Sequence, residues 1–212
     1  MTEKISIQLW KPFGPPVAKF ILKKDLVDRI NIYVDELIKD REKSAKLDAG
    51  KNLAGQVNQE ISFEKDFCEK YIAPILRKNI TAYIYANTKK KITKCIFRDI
   101  WVVRQFRDEY NPVHYHSGHV SGVGYLKVPS DLGKSSQESK IDNPNGKLEL
   151  IHGAKMFLSE SNIRITPKIG DFYMFPHYMM HNVYPFKSDG ERRSISFNAE
   201  IDEEIFNVYA PS

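Results

Sequence analysis

The hydrophobic pattern of the chain changes its period near residue 92. Before this point apolar residues recur at helical spacing, which predicts an amphipathic helix over about residues 24–40. A second helix is predicted over about 63–86, with Ser62 as its cap and a kink at Pro74. After residue 92, apolar and polar residues alternate in short runs separated by turn residues, which is typical of β-strands.

The second half of the chain therefore reads as a series of short strands. They are expected over about 92–97, 100–107, 121–128, 146–150, 163–166, 171–175, 181–184 and 193–200. One further strand is predicted at 4–10, and the polar stretch 44–60 reads as a loop. Two helices followed by about eight strands indicate an α+β fold, a β-sandwich or barrel with the helices on one outer face.

The length of 212 residues fits a single domain, in which residues 1–90 supply an N-terminal strand and supporting helices and 91–212 form the β core. A long polar insertion at 129–145 is either disordered or the cover of an active site. The apolar fraction of 42% allows a sizeable core, and no apolar run reaches membrane-spanning length.

Composition also indicates the compartment and the class of partner that we expect for the protein. Cys68 and Cys95 stand in a chain whose start does not have the form of a signal peptide, so we expect free thiols and a cytoplasmic protein. The basic residues behind the net charge of +5 are dispersed, which argues against a nucleic-acid partner.

The sequence places three histidines within six residues, ahead of a strand-forming run. In an extended chain His114 and His116 project to the same face, so two imidazole donors point toward a common metal. His181, in a later strand, is the best candidate for a third ligand. Any one of these histidines alone reads better as a polar residue of a half-exposed strand, but the three together favour a metal site.

The last predicted strand carries polar residues on alternate positions: Arg192, Ser194, Ser196 and Asn198 share one face. Such a face is unfavourable in a dry core and suits the wall of a wet pocket. A guanidinium with a hydroxyl two residues further on is a good clamp for a carboxylate. The alternative is an edge strand with a solvated polar face.

Four ordered motifs give the chain a family resemblance over roughly residues 100–207. The first two are His114-Tyr115-His116 and Ser121-Gly122-Val123-Gly124-Tyr125-Leu126. The third is a segment that begins at Gly170, continues through Phe175-Pro176 and ends with His181-Asn182-Val183. The fourth is Arg192-Arg193-Ser194-Ile195-Ser196-Phe197-Asn198. With these motifs the chain resembles the Fe(II)/2-oxoglutarate-dependent dioxygenases, and within them the 2OG-Fe(II) oxygenase family found in marine bacteria and phages.

The resemblance implies a double-stranded β-helix (jelly-roll) core, with Fe(II) and 2-oxoglutarate as cofactors and O2 as the oxidant. By position, His181 matches the distal metal ligand. Tyr125, Arg192 and Ser194 match the residues that hold the 2-oxoglutarate carboxylate. The implied reaction is hydroxylation of an unidentified small-molecule or peptidyl substrate, with succinate and CO2 as products.

One departure from the wider superfamily is the missing carboxylate ligand, because no Asp or Glu occurs between Glu109 and Asp131. In one interpretation His114, His116 and His181 form an all-histidine set. In the other, His116 and His181 bind the metal and Gly118 leaves a coordination position vacant, as in related halogenases. The alternating spacing favours the three-histidine set.

Three other functions remain open beside the hydroxylase. A cupin-type dioxygenase with three histidines would need a metal but no 2-oxoglutarate, and Arg192 and Ser194 argue against it. A 2-oxoglutarate-dependent halogenase would need chloride. A non-catalytic jelly-roll binding module would need no metal, which the three histidines argue against.

Overall fold

The computed structural model describes residues 7–10, 14–137 and 139–209. Its strands are β1 Gln8–Trp10, β2 Val17–Ile21, β3 Gln59–Ser62, β4 Cys95–Gln105, β5 Asn111–His114, β6 Val120–Lys127, β7 Leu148–Ile151, β8 Asn162–Ile165, β9 Asp171–Pro176, β10 Met180–Val183 and β11 Arg192–Ile201. Its helices are α1 Lys24–Leu37, α2 Arg41–Lys46, α3 Lys65–Phe67, α4 Ala73–Thr88 and α5 Glu203–Tyr209, with a 3₁₀ turn over Gly50–Asn52 and a π turn over Cys68–Ile72. No helix within these ranges has the length and hydrophobicity that crossing a membrane requires.

The strands form two antiparallel sheets. The larger sheet has the order β1-β2-β9-β6-β11-β4-β3, and the smaller has the order β5-β10-β7-β8. The facing sides of the sheets share one apolar core, to which the larger sheet contributes Val123 and Tyr125 and the smaller contributes Leu148 and Leu150. The α+β fold with a two-sheet β core, predicted from the change in hydrophobic period, is confirmed.

The helices cover the outer face of the larger sheet. Helix α1 buries Leu26, Ile30 and Val34, which recur every four residues along one side of the helix. These side chains form a second core with Phe172 and Phe197, which point outward from β9 and β11. Since neighbouring strand residues face opposite ways, the same strands serve both cores.

The second predicted helix differs from the prediction at its start. Ser62 is the last residue of β3 and caps no helix, and the helical segment begins at Lys65. The π turn lies directly before Pro74, which is the second residue of α4. Proline lacks a backbone N–H and clashes with the preceding turn, so the regular α ladder is interrupted where we predict a kink.

The strand predictions were accurate in the second half, with one exception. The predicted strands at 92–97 and 100–107 are a single strand, β4. Its register against β11 shifts so that Arg98 has no opposite residue. This bulge inserts one residue into β4 and reverses which side chains face the core from there on. The sequence pattern of this one strand therefore resembles that of two strands. The remaining six predictions match β6 to β11 to within two residues at either end.

The pattern also misses strands in both halves of the chain. Strands β2 and β5 are additional, and the stretch predicted as a loop at 44–60 includes the end of α2 and the start of β3. Of the strand predicted at 4–10, residues 4–6 lie outside the described ranges. Strands β1, β2 and β3 all extend the larger sheet. Cys68 and Cys95 are free thiols, as predicted.

Candidate metal centre and its cavity

Three histidines converge at one edge of the smaller sheet. His114 is the last residue of β5, and it lies opposite His181 in the antiparallel pair of β5 and β10. His116 follows two residues after His114, and its Nε2 is 3.2 Å from Nε2 of His181. One ligand nitrogen from each ring can be chosen so that all three lie within 4.8 Å of one another. The structure therefore brings together the three residues that the spacing singles out.

Backbone hydrogen bonds orient two of these rings. Nδ1 of His114 donates to the carbonyl of Pro112 at 2.7 Å, and Nδ1 of His181 donates to the carbonyl of Met179 at 2.8 Å. A carbonyl oxygen can only accept, so each Nδ1 carries the proton and each Nε2 presents its lone pair. Such a bond on the distal nitrogen is the usual support of a metal-binding histidine.

The three rings are kept neutral by their surroundings. Burial lowers the pKa of His114, and burial together with the neighbouring histidines lowers the pKa of His116 to about 3. His181 is only 5% exposed, and burial holds its pKa well below the ordinary value. Neutral imidazole is the form that binds a metal, so the donor set fits a divalent transition metal such as iron.

The histidines line a cavity of about 160 Å³ between the two sheets. Trp101 and Val103 of β4 and Ser194 and Ser196 of β11 form part of its wall, and residues 52–55 close one side. That segment belongs to the stretch whose sequence predicts a plain loop. Its polar composition gave no sign of a position beside the metal site.

The insertion at 129–145 does not line this cavity in its described residues. It is held instead against the loop before β11, where Lys187 N donates to the carbonyl of Leu132 at 3.0 Å and Ser188 Oγ donates to the carbonyl of Asp131. The insertion therefore does not cover the cavity in this structure. The sequence left open whether it is disordered or covers an active site, and composition could not say against which surface it packs.

Arg192 lies on the side of β11 that carries Ser194 and Ser196, which we call the cavity face. Its side chain is 1% exposed. Nε donates to the carbonyl of Gly146 at 3.1 Å, and Nη1 donates to Oε1 of Gln105 at 3.2 Å. Both acceptors are neutral, and Nη2 is buried with no hydrogen-bond partner in the described part of the chain. None of the ion pairs found there includes Arg192.

Tyr125 lies beside this guanidinium, whose Cζ is 5.0 Å from the centre of the tyrosine ring. Tyr125 is opposite Ser194 in the pairing of β6 with β11, so both face the interior of the sandwich. Its hydroxyl is buried and has no hydrogen-bond partner among the described residues. Burial raises the pKa of Tyr125 to about 12, so the hydroxyl keeps its proton as a donor.

These contacts fit an anionic ligand. A buried charge without a partner is unfavourable by several kcal/mol, and native structures rarely retain one without a function. Arg192 and Tyr125 each present an unused donor on the same face, which a carboxylate from outside the protein would satisfy. Burial lowers the pKa of Arg192, and a bound anion would oppose that shift.

Gly118, the alternative open position of the metal site, lies elsewhere. It adopts a positive φ of 90°, and a Cβ added there would be 3.0 Å from the carbonyl oxygen of Ala199. It is not among the residues that line the cavity. His119 is also remote from metal chemistry, because its Nδ1 accepts a hydrogen bond from Ile201 N at 3.0 Å and its ring stacks on Phe206.

Among the solved structures of similar fold are proteins described as prolyl hydroxylases, one of them in complex with 2-oxoglutarate. A prolyl hydroxylase from Trichoplax adhaerens, solved with a hypoxia inducible factor peptide, is 14% identical, with a TM-score of 0.59 over 92% of this chain and 87% of that one. The viral collagen prolyl hydroxylase of Paramecium Bursaria Chlorella virus-1, in its 2-oxoglutarate complex, is 19% identical, with a TM-score of 0.54 over 86% and 94%. A Pseudomonas putida prolyl-4-hydroxylase is 14% identical, with a TM-score of 0.55 over 87% and 91%. The predicted jelly-roll core is thereby confirmed.

The chain therefore combines a jelly-roll fold with a cluster of three histidines that could hold a metal ion. Residues 99–198 match the model of the family described as putative 2OG-Fe(II) oxygenase, and together with the similar structures this match indicates an oxidoreductase of that type, in which His114, His116 and His181 could bind the iron. The match begins in β4 and ends in β11, and it includes all three histidines. No curated protein is similar enough in sequence to count as a match.

Proposed function

We propose that the protein is a hydroxylase that couples the oxidation of an organic substrate to the conversion of 2-oxoglutarate into succinate and CO2. The observation that carries this proposal is the buried guanidinium of Arg192, which has no anionic partner and lies in the same sandwich interior as the three-histidine cluster. A positive charge at this place suits a co-substrate with two carboxylates.

In this proposal His114, His116 and His181 hold the iron. The hydrogen bonds to Pro112 and Met179 fix the first and third rings, which reduces the entropy lost on metal binding. When bound, iron and 2-oxoglutarate supply the chemistry that activates O2 and hydroxylates a C–H bond. The protein has to hold these groups, exclude bulk water and orient the substrate.

Arg192, Tyr125 and Ser194 hold 2-oxoglutarate through its carboxylate farther from the metal. Arg192 contributes the charge and its free Nη2–H, and Tyr125 contributes the free hydroxyl. Ser194 lines the cavity and lies opposite Tyr125 in the pairing of β6 with β11, where it provides a further hydroxyl donor. Because Gly146 and Gln105 already fix the guanidinium, its position requires little reorganisation when the anion binds.

Anaerobic titration of the metal-free protein with Fe(II) and 2-oxoglutarate tests the proposal. We expect a weak visible charge-transfer band, followed by succinate formation when oxygen and a substrate are supplied. His181→Ala should abolish the band because it removes one of the three ligands. His152→Ala, which changes a histidine outside the cavity, is the matched control and should retain it. A folded wild-type protein that gives no band would contradict the proposal.

A further inference from the structure

A buried carboxylate lines the cavity and has no partner among the residues that the structure describes. Glu60 is 4% exposed and lines the cavity. It is opposite Val103 in the pairing of β3 with β4, and Val103 is opposite Ser194, so all three share the inward face. Within the described ranges, its side chain has neither a hydrogen bond nor an ion pair. The fold itself therefore does not explain why an acidic residue is buried here.

A second acceptor converges on the same place. The Oδ1 atom of Asn111, another residue of the cavity wall, is buried and has no hydrogen-bond partner in the described structure. A Cβ added to Gly55 would lie 2.7 Å from that oxygen and 2.8 Å from Oε1 of Glu60. Since both oxygens lie so near this one point, they are no more than 5.5 Å apart, and one donor nitrogen on the open side of Gly55 could reach both.

The local charge is negative. Asp48 lies near Glu60, since a Cβ added to Gly50 would be 3.4 Å from Oδ1 of Asp48 and 3.8 Å from Oε2 of Glu60. Burial first, and Asp48 second, raise the pKa of Glu60 to about 7. No lysine or arginine forms an ion pair with either carboxylate in the part of the chain that the structure describes. A bound cation would stabilise the charged form of Glu60.

We propose that the substrate of this oxygenase carries an amine, and that its ammonium group binds between Glu60 and Asn111 on the wall of the cavity. This inference rests on the proposed function, because it assigns the substrate side of the same cavity. An ammonium group offers three N–H donors and a positive charge, which match two convergent acceptors of which one is a carboxylate. A second metal ion fits less well, since the three histidines are the single metal-binding group found among the described residues.

The test uses n-butylamine as the probe, with 1-butanol and butyrate as neutral and anionic controls of the same length. The protein is labelled with ¹⁵N and loaded with 2-oxoglutarate and Zn(II), which replaces the paramagnetic iron. Trp101 lines the cavity, so its indole N–H signal reports on occupancy. We expect n-butylamine to shift this signal in a saturable way, and 1-butanol and butyrate to bind at least tenfold more weakly.

Two variants test separately the charge of Glu60 and the space beside it. Glu60→Gln keeps the shape of the side chain and removes its charge, so it should weaken the binding of n-butylamine at least tenfold. Gly55→Ala keeps the charge but places a methyl group between the two oxygens, and it should also reduce binding at least tenfold. Glu42→Gln, on the exposed surface of α2, should stay within twofold of the wild type.

Equal binding of n-butylamine and 1-butanol would overturn the inference, as would wild-type affinity in Glu60→Gln. If Glu60→Gln does not fold, Gly55→Ala decides by the same criterion. The charge-transfer titration without any amine separates this result from the proposed function. A normal band together with no amine binding rejects the ammonium site alone, whereas loss of the band in the wild type rejects the hydroxylase.

Discussion

Arg192 and Arg193 are neighbours in one strand, both almost completely buried, and their surroundings are opposite in character. Arg193 is 0% exposed and forms ion pairs of 2.7 Å with Glu191 and 2.6 Å with Asp35. It also donates to the carbonyl of Asn31 at 3.2 Å. Arg192, which is 1% exposed, has only the neutral acceptors of Gly146 and Gln105.

The difference fits the proposal that Arg193 stabilises the fold whereas Arg192 is kept for a ligand. Arg193 faces α1, and its partners come from that helix and from the strand's own start. Arg192 faces the interior of the sandwich, where its hydrogen-bond acceptors among the described residues are both neutral. A protein that maintains such an unpaired charge loses stability, and the usual reason is a functional site.

The largest expected effect is on the stability of Arg193→Met. Removing this guanidinium leaves Glu191 with Arg104 as its remaining described ion-pair partner and removes one contact of Asp35, so we expect a loss of about 2 kcal/mol in the free energy of unfolding. Arg192→Met leaves no described carboxylate without a partner, so its free energy of unfolding should lie within about 1 kcal/mol of the wild-type value, or above it. Urea denaturation of the metal-free proteins measures both. Equal losses in the two variants would show that the comparison is wrong.

A smaller effect concerns the other unpaired charge, Glu60. Its pKa is raised to about 7 in the folded protein from an ordinary value of 4.5, so between these values the folded state binds a proton that the unfolded state does not. The contribution of Glu60 to stability is therefore greatest at low pH and falls as the pH rises through this window.

Glu60→Gln removes this titration. Relative to the wild type, the variant should gain on the order of 1 kcal/mol in the free energy of unfolding between pH 4.5 and pH 8. Urea denaturation of both proteins across this range gives the difference, in which the other titrating groups cancel. A difference that does not change with pH would mean that Glu60 has an ordinary pKa and a partner in solution.

The sequence allowed much of the metal site to be predicted, because its geometry is local. His114 and His116 lie two residues apart in extended chain, and the cavity face of β11 follows from strict alternation. His181 required one further step, the pairing of β5 with β10. The resemblance to oxygenases then added Tyr125, whose position in the apolar run of β6 carries no signal of its own.

The substrate side could not be predicted in the same way. Glu60 stands in a short polar strand without clear alternation, and its burial depends on β3 pairing with β4, a contact between distant parts of the chain. The sequence also gives no means to distinguish Arg192 from Arg193, since the partner Asp35 is 158 residues away. Tertiary packing decides which arginine is neutralised by the fold.

The affinity of Arg192→Met for 2-oxoglutarate tests the central claim most directly. Titration of the charge-transfer band should show at least about 100-fold weaker binding than in the wild type, while Tyr125→Phe loses about tenfold or less. Arg98→Met, which removes a guanidinium from an exposed ion pair with Glu200, should bind normally. An Arg192→Met protein that binds 2-oxoglutarate within twofold of the wild type would contradict the account.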